Sequence, residues 1–265
     1  MMAENYYIPF KSNVKEIIKH TGLEYTFRME YKGDVKPGQF FEVSIPHYGE
    51  APISVSGIGD GTVDLTIRRV GRVTGEVFTR GKNTSLFLRG PYGNGFNVED
   101  YKGKELFVVA GGTGVSPVRG IVDYFASHAD EVKGLTLVAG FKTPEDILFR
   151  ADFERWKKTA NIILTTDNNG GDTTYKQGLV TGYVPQFDVH DLSTAQAVVV
   201  GPPAMMRFTV KALLERGFAE KNIWISYERK MCCGLGKCGH CRINDIYVCL
   251  DGPVFNYTQG KLLTD

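Results

Sequence analysis

The sequence predicts an antiparallel β-barrel, then a parallel doubly wound α/β domain, then a small cysteine-rich module. Three observations support this fold class. Short β-forming stretches fill the first part of the chain, and buried apolar runs alternate with helical patterns in the middle. All five cysteines fall within 232–249. The predicted boundaries are 1–102, 103–227 and 228–265.

The first segment is predicted to be a small antiparallel barrel. Its β-forming stretches lie between Gly, Pro and Asp, and they include FEVSIP, ISVSGIG, VDLTIRRV and SLFLRGPYG. Several short strands at this spacing are typical of a barrel. The pair Pro37-Gly38 predicts a turn directly before FEVSIP.

The middle segment is predicted to be a parallel sheet covered by helices. Its apolar runs are ELFVVA (105–110), LTLVAGF (135–141), NIILTT (161–166), AVVVG (197–201) and IWISY (223–227). Helical patterns such as PEDILFRADFERWKK and AMMRFTVKALLERG lie between these runs. Parallel strands covered on both faces have such continuous apolar sequences, which supports a doubly wound domain.

Composition and charge narrow the function classes. Hydrophobic residues make up 42% and charged residues 23% of the chain, and the net charge is +1, so neither nucleic acid nor an anionic membrane is an expected partner. The N-terminus has no apolar core of signal-peptide length, and no apolar run approaches the ~20 residues that span a bilayer. Cysteines confined to one segment suit a metal site in a reducing compartment, so we expect a cytoplasmic protein.

The cysteine run MCCGLGKCGHCRINDIYVC carries the strongest chemical signal. Counted from Cys233, its spacing is C-x4-C-x2-C-x7-C through Cys238, Cys241 and Cys249, and the first three match the plant-type 2Fe–2S spacing. The glycines between these ligands allow the tight turns that a cluster loop needs. A structural zinc site is the alternative, but zinc ribbons usually present two C-x2-C pairs and this chain has one. We expect Cys232 to be a bystander, although it could substitute for Cys233.

Two glycine turns predict a nucleotide site. AGGTGVSP follows ELFVVA directly, and VVVGPPAMM ends the fourth apolar run in the same way. Glycines at a strand-to-helix turn let a pyrophosphate approach the backbone, and the next helix directs its N–H groups at the anion. The predicted nucleotide-binding residues are Gly111, Gly112, Thr113, Gly114, Pro117, Gly201, Pro202 and Pro203.

The order of barrel, GGTGVSP, GPPAMM and four cysteines resembles the ferredoxin–NADP⁺ reductase superfamily over nearly the whole chain. The run ERKMCCGLGKCGHCRINDIYVCLDGPVF is similar to the branch that contains the electron-transfer subunits of dihydroorotate dehydrogenase and the gamma subunits of sulfhydrogenases. Strings such as EAPISVSGIGDGTVDL, LRGPYGNGF and YVCLDGPVFNY most resemble the B subunits of anaerobic sulfite reductases.

The resemblance implies FAD on the barrel, which the family holds between barrel and nucleotide domain. The usual Arg-x-Tyr-Ser/Thr motif is replaced here by Ala51-Pro52-Ile53-Ser54, so the arginine and the tyrosine are missing. The family pattern also implies a role near nicotinamide and flavin for Glu228, and Arg68 or Arg72 could supply the lost charge. The implied flavin-binding residues are Pro52, Ile53, Ser54, Val55, Arg68, Val70, Gly71, Val73 and Thr74.

The function implied by the resemblance is electron entry into a larger complex. NADH, or NADPH, supplies two electrons while a 2Fe–2S cluster takes one, so a flavin must divide the pair. The expected partners are the iron–sulfur and siroheme subunits of a sulfite reductase, in a hetero-oligomer. The alternative is the same electron-transfer role in a dihydroorotate dehydrogenase or a sulfhydrogenase, and a weaker alternative is a non-enzymatic, zinc-bound scaffold.

Overall fold

The computed structural model describes residues 5–263, which form two compact units. The first unit contains residues 5–96 and 228–253, and the second contains residues 97–227 and 254–263. The chain therefore leaves the first unit and returns to it for the cysteine segment. The division at 102/103 and 227/228 stays a prediction. Within residues 5–263, no helix combines the length and the apolar character needed to cross a membrane.

Six antiparallel strands close into a barrel in the first unit, as predicted. They are β1 (Phe10–Lys19), β2 (Glu24–Glu30), β3 (Phe40–Ile45), β4 (Gly49–Gly59), β5 (Thr62–Arg68) and β6 (Ser85–Tyr92). Their order around the barrel is β1-β2-β5-β4-β3-β6. Because side chains alternate along a strand, Phe41, Val43 and Ile45 of β3 fill the barrel core, and Glu42 lies on the outer face.

The first unit also contains one short helix at the barrel and a small cysteine-bearing substructure. Helix α1 (Arg72–Val77) contributes Val77 to the barrel core. In the cysteine segment, strands β13 (Arg242–Ile243) and β14 (Ile246–Tyr247) form an antiparallel pair, and helix α5 (Val248–Asp251) follows them. The remainder of the segment is loop.

A seven-stranded sheet forms the second unit, and each of the five predicted apolar runs contributes a strand. The strands are β7 (Glu105–Gly111), β8 (Gly134–Phe141), β9 (Asn161–Thr166), β10 (Lys176–Gln177), β11 (Gln196–Val200), β12 (Ile223–Ser226) and β15 (Val254–Asn256). Their order is β10-β9-β8-β7-β11-β12-β15, with all pairs parallel except β12 with β15. The central β7 is buried throughout, which explains its continuous apolar sequence.

Four α-helices accompany the sheet in residues 97–227 and 254–263, together with a 3-10 helix at Val180–Gln186. The α-helices are α2 (Val115–Ser127), α3 (Arg150–Trp156), α4 (Pro203–Arg216) and α6 (Tyr257–Gly260). The predicted helical segment PEDILFRADFERWKK is broken: a single turn covers Pro144–Asp146, and α3 begins only at Arg150. The break has a packing cause, because Ile147, Leu148 and Phe149 are buried between the two helical pieces.

Candidate functional site

The four predicted cluster ligands come from one loop and one short helix. Cys233, Cys238 and Cys241 lie on the loop, and the β13–β14 pair turns the chain so that α5 supplies Cys249. Cys241 and Cys249 are buried, Cys233 is half-buried and Cys238 is exposed. The predicted bystander Cys232 is half-buried.

The four thiols lie in two pairs. Cys238 is within hydrogen-bonding reach of Cys233, and Cys249 is within reach of Cys241. The backbone N–H of His240 lowers the pKa of Cys238, whereas burial, with a contribution from Cys241, raises the pKa of Cys249 to about 12. The exposed Cys238 thiol is therefore more easily ionised than the buried Cys249 thiol.

Backbone N–H groups converge on the sulfurs. Leu235 N and Lys237 N donate to Cys233 Sγ at 3.3 and 3.5 Å, and Gly236 N donates to Cys249 Sγ at 3.2 Å. Such bonds stabilise the negative charge that thiolates carry toward a metal, and they tune the potential of iron–sulfur clusters. These hydrogen bonds come from backbone N–H groups, so they form only when the loop backbone turns toward the sulfurs.

Glycine conformations make these turns possible. Gly234, Gly236 and Gly239 have φ of +71°, +64° and +80°. A Cβ on Gly234 would lie 2.5 Å from the Tyr92 ring, and one on Gly236 would overlap the Leu250 side chain. At Gly234 and Gly236 both the backbone conformation and the available space therefore require glycine.

The cysteine residues fit a 2Fe–2S cluster, in which each of two irons takes two thiolates. A single tetrahedral zinc would need all four sulfurs around one point. The two-by-two arrangement matches the donor set of a binuclear cluster.

The two glycine turns lie side by side in the second unit. Strands β7 and β11 are parallel neighbours, with Ala110 paired to Val200, so the turns that follow them meet at the carboxyl edge of the sheet. The first turn leads into α2 and the second into α4. A Cβ on Gly201 would lie only 3.1 Å from Gly111 N, which shows how closely the turns approach.

The glycines of the first turn serve different purposes. A Cβ on Gly111 would overlap Met205 Sδ, and one on Gly114 would lie 2.5 Å from Val200 O, so these two glycines permit close packing. Gly112 instead has φ +54° and nothing within 4 Å of its Cβ position. A left-handed residue with open space beside it suits the approach of a pyrophosphate.

The other predicted nucleotide residues occupy the same two turns. Thr113 is half-buried, and Pro117 is buried in the first turn of α2. Pro202 is the N-terminal cap of α4, Pro203 is its first residue, and both are exposed. The structure thus brings every residue predicted for the nucleotide site to one edge of the sheet.

The predicted flavin residues of the barrel lie on β4 and at α1. Pro52, Ile53 and Ser54 are half-buried, and Val55 belongs to the barrel core. Helix α1 contacts β4, which brings the two predicted flavin elements together.

Thr74 organises the turn that precedes α1. Its Oγ1 accepts hydrogen bonds from Val70 N at 3.1 Å and Gly71 N at 2.9 Å, and the side chain is largely buried. Val70 is 73% exposed and Val73 is half-buried. The hydroxyl therefore shapes this turn in the protein itself, in addition to any contact with a phosphate.

The two arginines considered for the lost positive charge differ in their partners. Arg68 Nε lies 3.3 Å from Glu24 Oε1, so its charge is partly compensated. Arg72 Nη2 donates to His47 O at 2.6 Å, and its guanidinium lies over the Tyr48 ring. Arg72 has a carbonyl and a ring as neighbours and keeps more of its charge available to an anion.

Glu228 opens the segment that leads to the cysteine loop. The residue is exposed at the surface, yet the protein around its carboxyl group desolvates it enough to raise its pKa. The carboxyl consequently stays protonated to a higher pH than that of an ordinary surface glutamate.

A charged cluster on the outer face of the barrel was not predicted. Arg89 of β6 contacts the backbone of Cys232 and Cys233, and Glu50 and Glu42 lie beside it. Burial raises the pKa of Glu42 to about 8; repulsion by Glu50 adds to this shift and Arg89 opposes it. One signal was available in the sequence, because Arg89 is the single charge in the β-forming stretch SLFLRGPYG.

Comparisons with protein families identify both chemical segments. Residues 108–211 match the family described as oxidoreductase NAD-binding domain. Residues 228–259 match the iron-sulfur cluster binding domain of dihydroorotate dehydrogenase B. The first range contains both glycine turns, and the second contains all four predicted ligands.

Similarity to individual proteins extends over almost the whole chain. Sulfhydrogenase 1 subunit gamma of Pyrococcus furiosus is 32% identical, over 97% of this chain and 94% of that protein. A probable dihydroorotate dehydrogenase B (NAD⁺) electron transfer subunit of the same organism is 31% identical, over 88% of this chain and 84% of that protein. A solved NADH-dependent reduced ferredoxin-NADP oxidoreductase chain is 23% identical with a TM-score of 0.78, covering 95% of this chain and 91% of that chain, which shows a shared fold.

Proposed function

Because this chain belongs to the family of electron-transfer subunits that includes sulfhydrogenase gamma and dihydroorotate dehydrogenase B subunits, we propose that it passes electrons from NADH through FAD and a 2Fe–2S cluster to a partner subunit. It is an oxidoreductase chain with an NAD-binding domain and an iron–sulfur domain. Our proposal adds to these two domains a bound FAD and a flow of electrons from NADH to the cluster.

One observation carries the proposal: the same chain holds two adjoining glycine turns and a loop with two pairs of thiols. When bound, a flavin would divide the electron pair of NADH into the single electrons that a 2Fe–2S cluster carries. The protein must therefore bind a dinucleotide and a cluster, and its residues supply the means for both.

The residues of the chain have separate tasks in this proposal. Gly112 would leave room for the pyrophosphate, and the unpaired N–H groups at the start of α2 would stabilise its negative charge. Thr74 fixes the turn that would meet the flavin phosphates, and Arg72 offers positive charge nearby. Cys233, Cys238, Cys241 and Cys249 would hold the cluster, and desolvation raises the pKa of the Glu228 carboxyl.

Cofactor analysis of the purified chain tests the proposal directly. Anaerobically purified protein should contain two irons and two acid-labile sulfides per chain, with FAD released on denaturation. NADH should bleach the flavin and cluster bands, and a one-electron dye should restore them. A colourless protein that contains zinc would instead support the scaffold alternative and refute electron transfer.

The partner subunit that finally accepts the electrons is a separate proposal. The names of the relatives support a hydrogenase or a dihydroorotate dehydrogenase catalytic subunit as partner, while the sulfite reductase partner rests on the sequence strings alone. The complex should be isolated through a tag on this chain from its native cells. Its NAD⁺-linked activity with H₂, its NAD⁺-linked activity with dihydroorotate and its NADH-linked reduction of sulfite then distinguish the three partners.

Electrons are expected to leave at the exposed side of the cysteine loop. Cys238 is exposed, and its neighbours Gly239, His240 and Arg242 are exposed as well. These residues are the proposed docking surface for the partner, and the hetero-oligomer is proposed to form there.

A further inference from the structure

Arg89 lies on the outer face of the barrel and is only 4% exposed. Its neighbour Leu88 fills the barrel core, and alternation along β6 places Arg89 on the opposite face. Arg89 is paired across the sheet with Glu42 of β3. Burying a charge is costly unless the charge is paired and hydrogen-bonded, so a guanidinium this deeply buried needs partners for its charge and its N–H groups.

All five N–H donors of Arg89 have acceptors. Nε and Nη2 donate to the two carboxylate oxygens of Glu50 at 2.8 and 2.7 Å. Nη2 also donates to Cys232 O at 2.9 Å, and Nη1 donates to Cys233 O at 2.9 Å and to Tyr92 Oη at 3.1 Å. The planar fork thus joins a barrel carboxylate to two successive carbonyls of the cysteine loop, which a lysine cannot do.

The end of β6 extends this contact to both ends of the cysteine loop. The backbone at Gly234 lies against the Tyr92 ring, where a Cβ would come within 2.5 Å. Asn94 N donates to Gly252 O at 2.7 Å, and Asn94 Nδ2 donates to Asp251 O at 2.9 Å, at the end of α5. One barrel segment therefore fixes the backbone beside the first ligand and beside the last.

Arg89 also brings a fixed positive charge close to the first ligand. Glu50 balances part of that charge from a partly exposed position. Reduction adds a negative charge to a bound cluster, so a nearby cation stabilises the reduced form, and its effect is stronger in a desolvated site than in water. The guanidinium thus has an electrostatic role in addition to its hydrogen bonds.

We propose that Arg89 is the positioning residue of the cluster: it fixes the backbone of Cys232 and Cys233 so that the first ligand faces the cluster, and its charge raises the reduction potential of that cluster. This inference rests on the proposed function, because it takes a 2Fe–2S cluster as the bound group.

The test compares the holoprotein with Arg89→Gln and Arg89→Lys. Arg28→Gln is the matched control, because Arg28 Nε and Nη2 also bind a barrel carboxylate, that of Asp64, at 2.8 and 3.1 Å. Iron release to a chelator and the potential from an EPR-monitored titration are measured for each. Loss of two charge-assisted bonds to the loop should speed iron release roughly tenfold or more in Arg89→Gln. Its potential should become more negative, whereas Arg89→Lys should release iron quickly but keep a potential near that of the wild type.

Glu50→Gln gives an independent test should Arg89→Gln fail to fold. It removes the balancing negative charge and keeps the cation, so the potential should shift in the positive direction. Wild-type iron release and potential in Arg89→Gln would overturn the proposal, as would a negative shift in Glu50→Gln. Zinc in the wild-type protein would refute both the proposed function and the effect of Arg89 on the reduction potential. In that case, equal rates of zinc release from Arg89→Gln and Arg28→Gln would also refute the positioning role of Arg89.

Discussion

Replacing Gly112 with valine should weaken NADH binding strongly while leaving flavin and iron in place. Gly112 has φ +54°, and the space beside it is open, so the valine side chain meets no protein atom within 4 Å of its Cβ. That space is where the pyrophosphate is expected to approach the turn. Losing a backbone hydrogen bond to a charged phosphate costs roughly 2–3 kcal/mol, which corresponds to about a 30- to 150-fold rise in Kd.

The substitution has a second effect that must be separated from the first. A β-branched residue in the left-handed region costs roughly 1–2 kcal/mol of folding stability wherever it is placed. Gly170 supplies the control, since it has φ +59°, open space around its Cβ position and an exposed location in the same unit. Gly170→Val should therefore carry the same backbone strain without the loss of NADH affinity.

The assay is the Kd for NADH measured by calorimetry on each variant, with flavin and iron content determined on the same samples. Gly112→Ala should fall between the wild type and Gly112→Val, because a methyl group occupies less of the space. A Kd for Gly112→Val within twofold of the Gly170→Val value would refute the reasoning and place the nucleotide elsewhere.

Three other predictions concern the first unit. Cys232→Ser should keep the iron content and visible spectrum of the wild type, because Cys232 lies outside the two thiol pairs, whereas Cys238→Ser should lose the cluster bands. Loss of iron in Cys232→Ser would make Cys232 the first ligand. Folding raises the pKa of Glu42 from 4.5 to about 8, so the stability that its protonated carboxyl contributes is lost as pH rises through that interval. The infrared band of a protonated carboxyl should disappear near pH 8 in the wild type, and it should be absent in Glu42→Gln. The chain alone should oxidise NADH with a one-electron dye but not with sulfite, and sulfite-dependent NADH consumption by the chain alone would contradict that expectation. Arg242→Glu should slow electron transfer to the partner subunit without changing the rate of dye reduction.

Sequence patterns were sufficient for the barrel as a fold and for four of its strands, β3 to β6, and continuous apolar runs located five strands of the sheet. Strands β1 and β2 were not located individually. Strand β15 has three residues, which is too short for any period to identify, and it depends on pairing with β12. The helix predicted from Pro144 onward is broken because burial of Ile147–Phe149 outweighs local helical preference. Tertiary packing decided both differences.

The sequence was enough to propose four cysteine ligands, because their spacing lies within one short stretch, and the family match over residues 228–259 supports an iron–sulfur segment there. The arginine that binds the backbone of Cys232 and Cys233 could not be found in this way, because Arg89 and Cys233 are 144 positions apart and only the fold brings them together. A lone arginine in an apolar strand indicates a buried partner, but it does not say which part of the chain provides that partner.

Residues 228–241 of the cysteine segment contain no helix and no strand, and this explains why that loop depends on the barrel. Ordering each loop residue costs roughly 1–2 kcal/mol of conformational entropy, and a loop that contributes few apolar side chains cannot offset this by burial. Barrel contacts that order it come from Arg89 and Tyr92 of β6 and from Asn94 just after that strand. The barrel is therefore part of the cluster site, because it holds the loop in the shape in which N–H groups reach the sulfurs. The isolated segment 228–253 should consequently lose its cluster far more readily than the whole chain does.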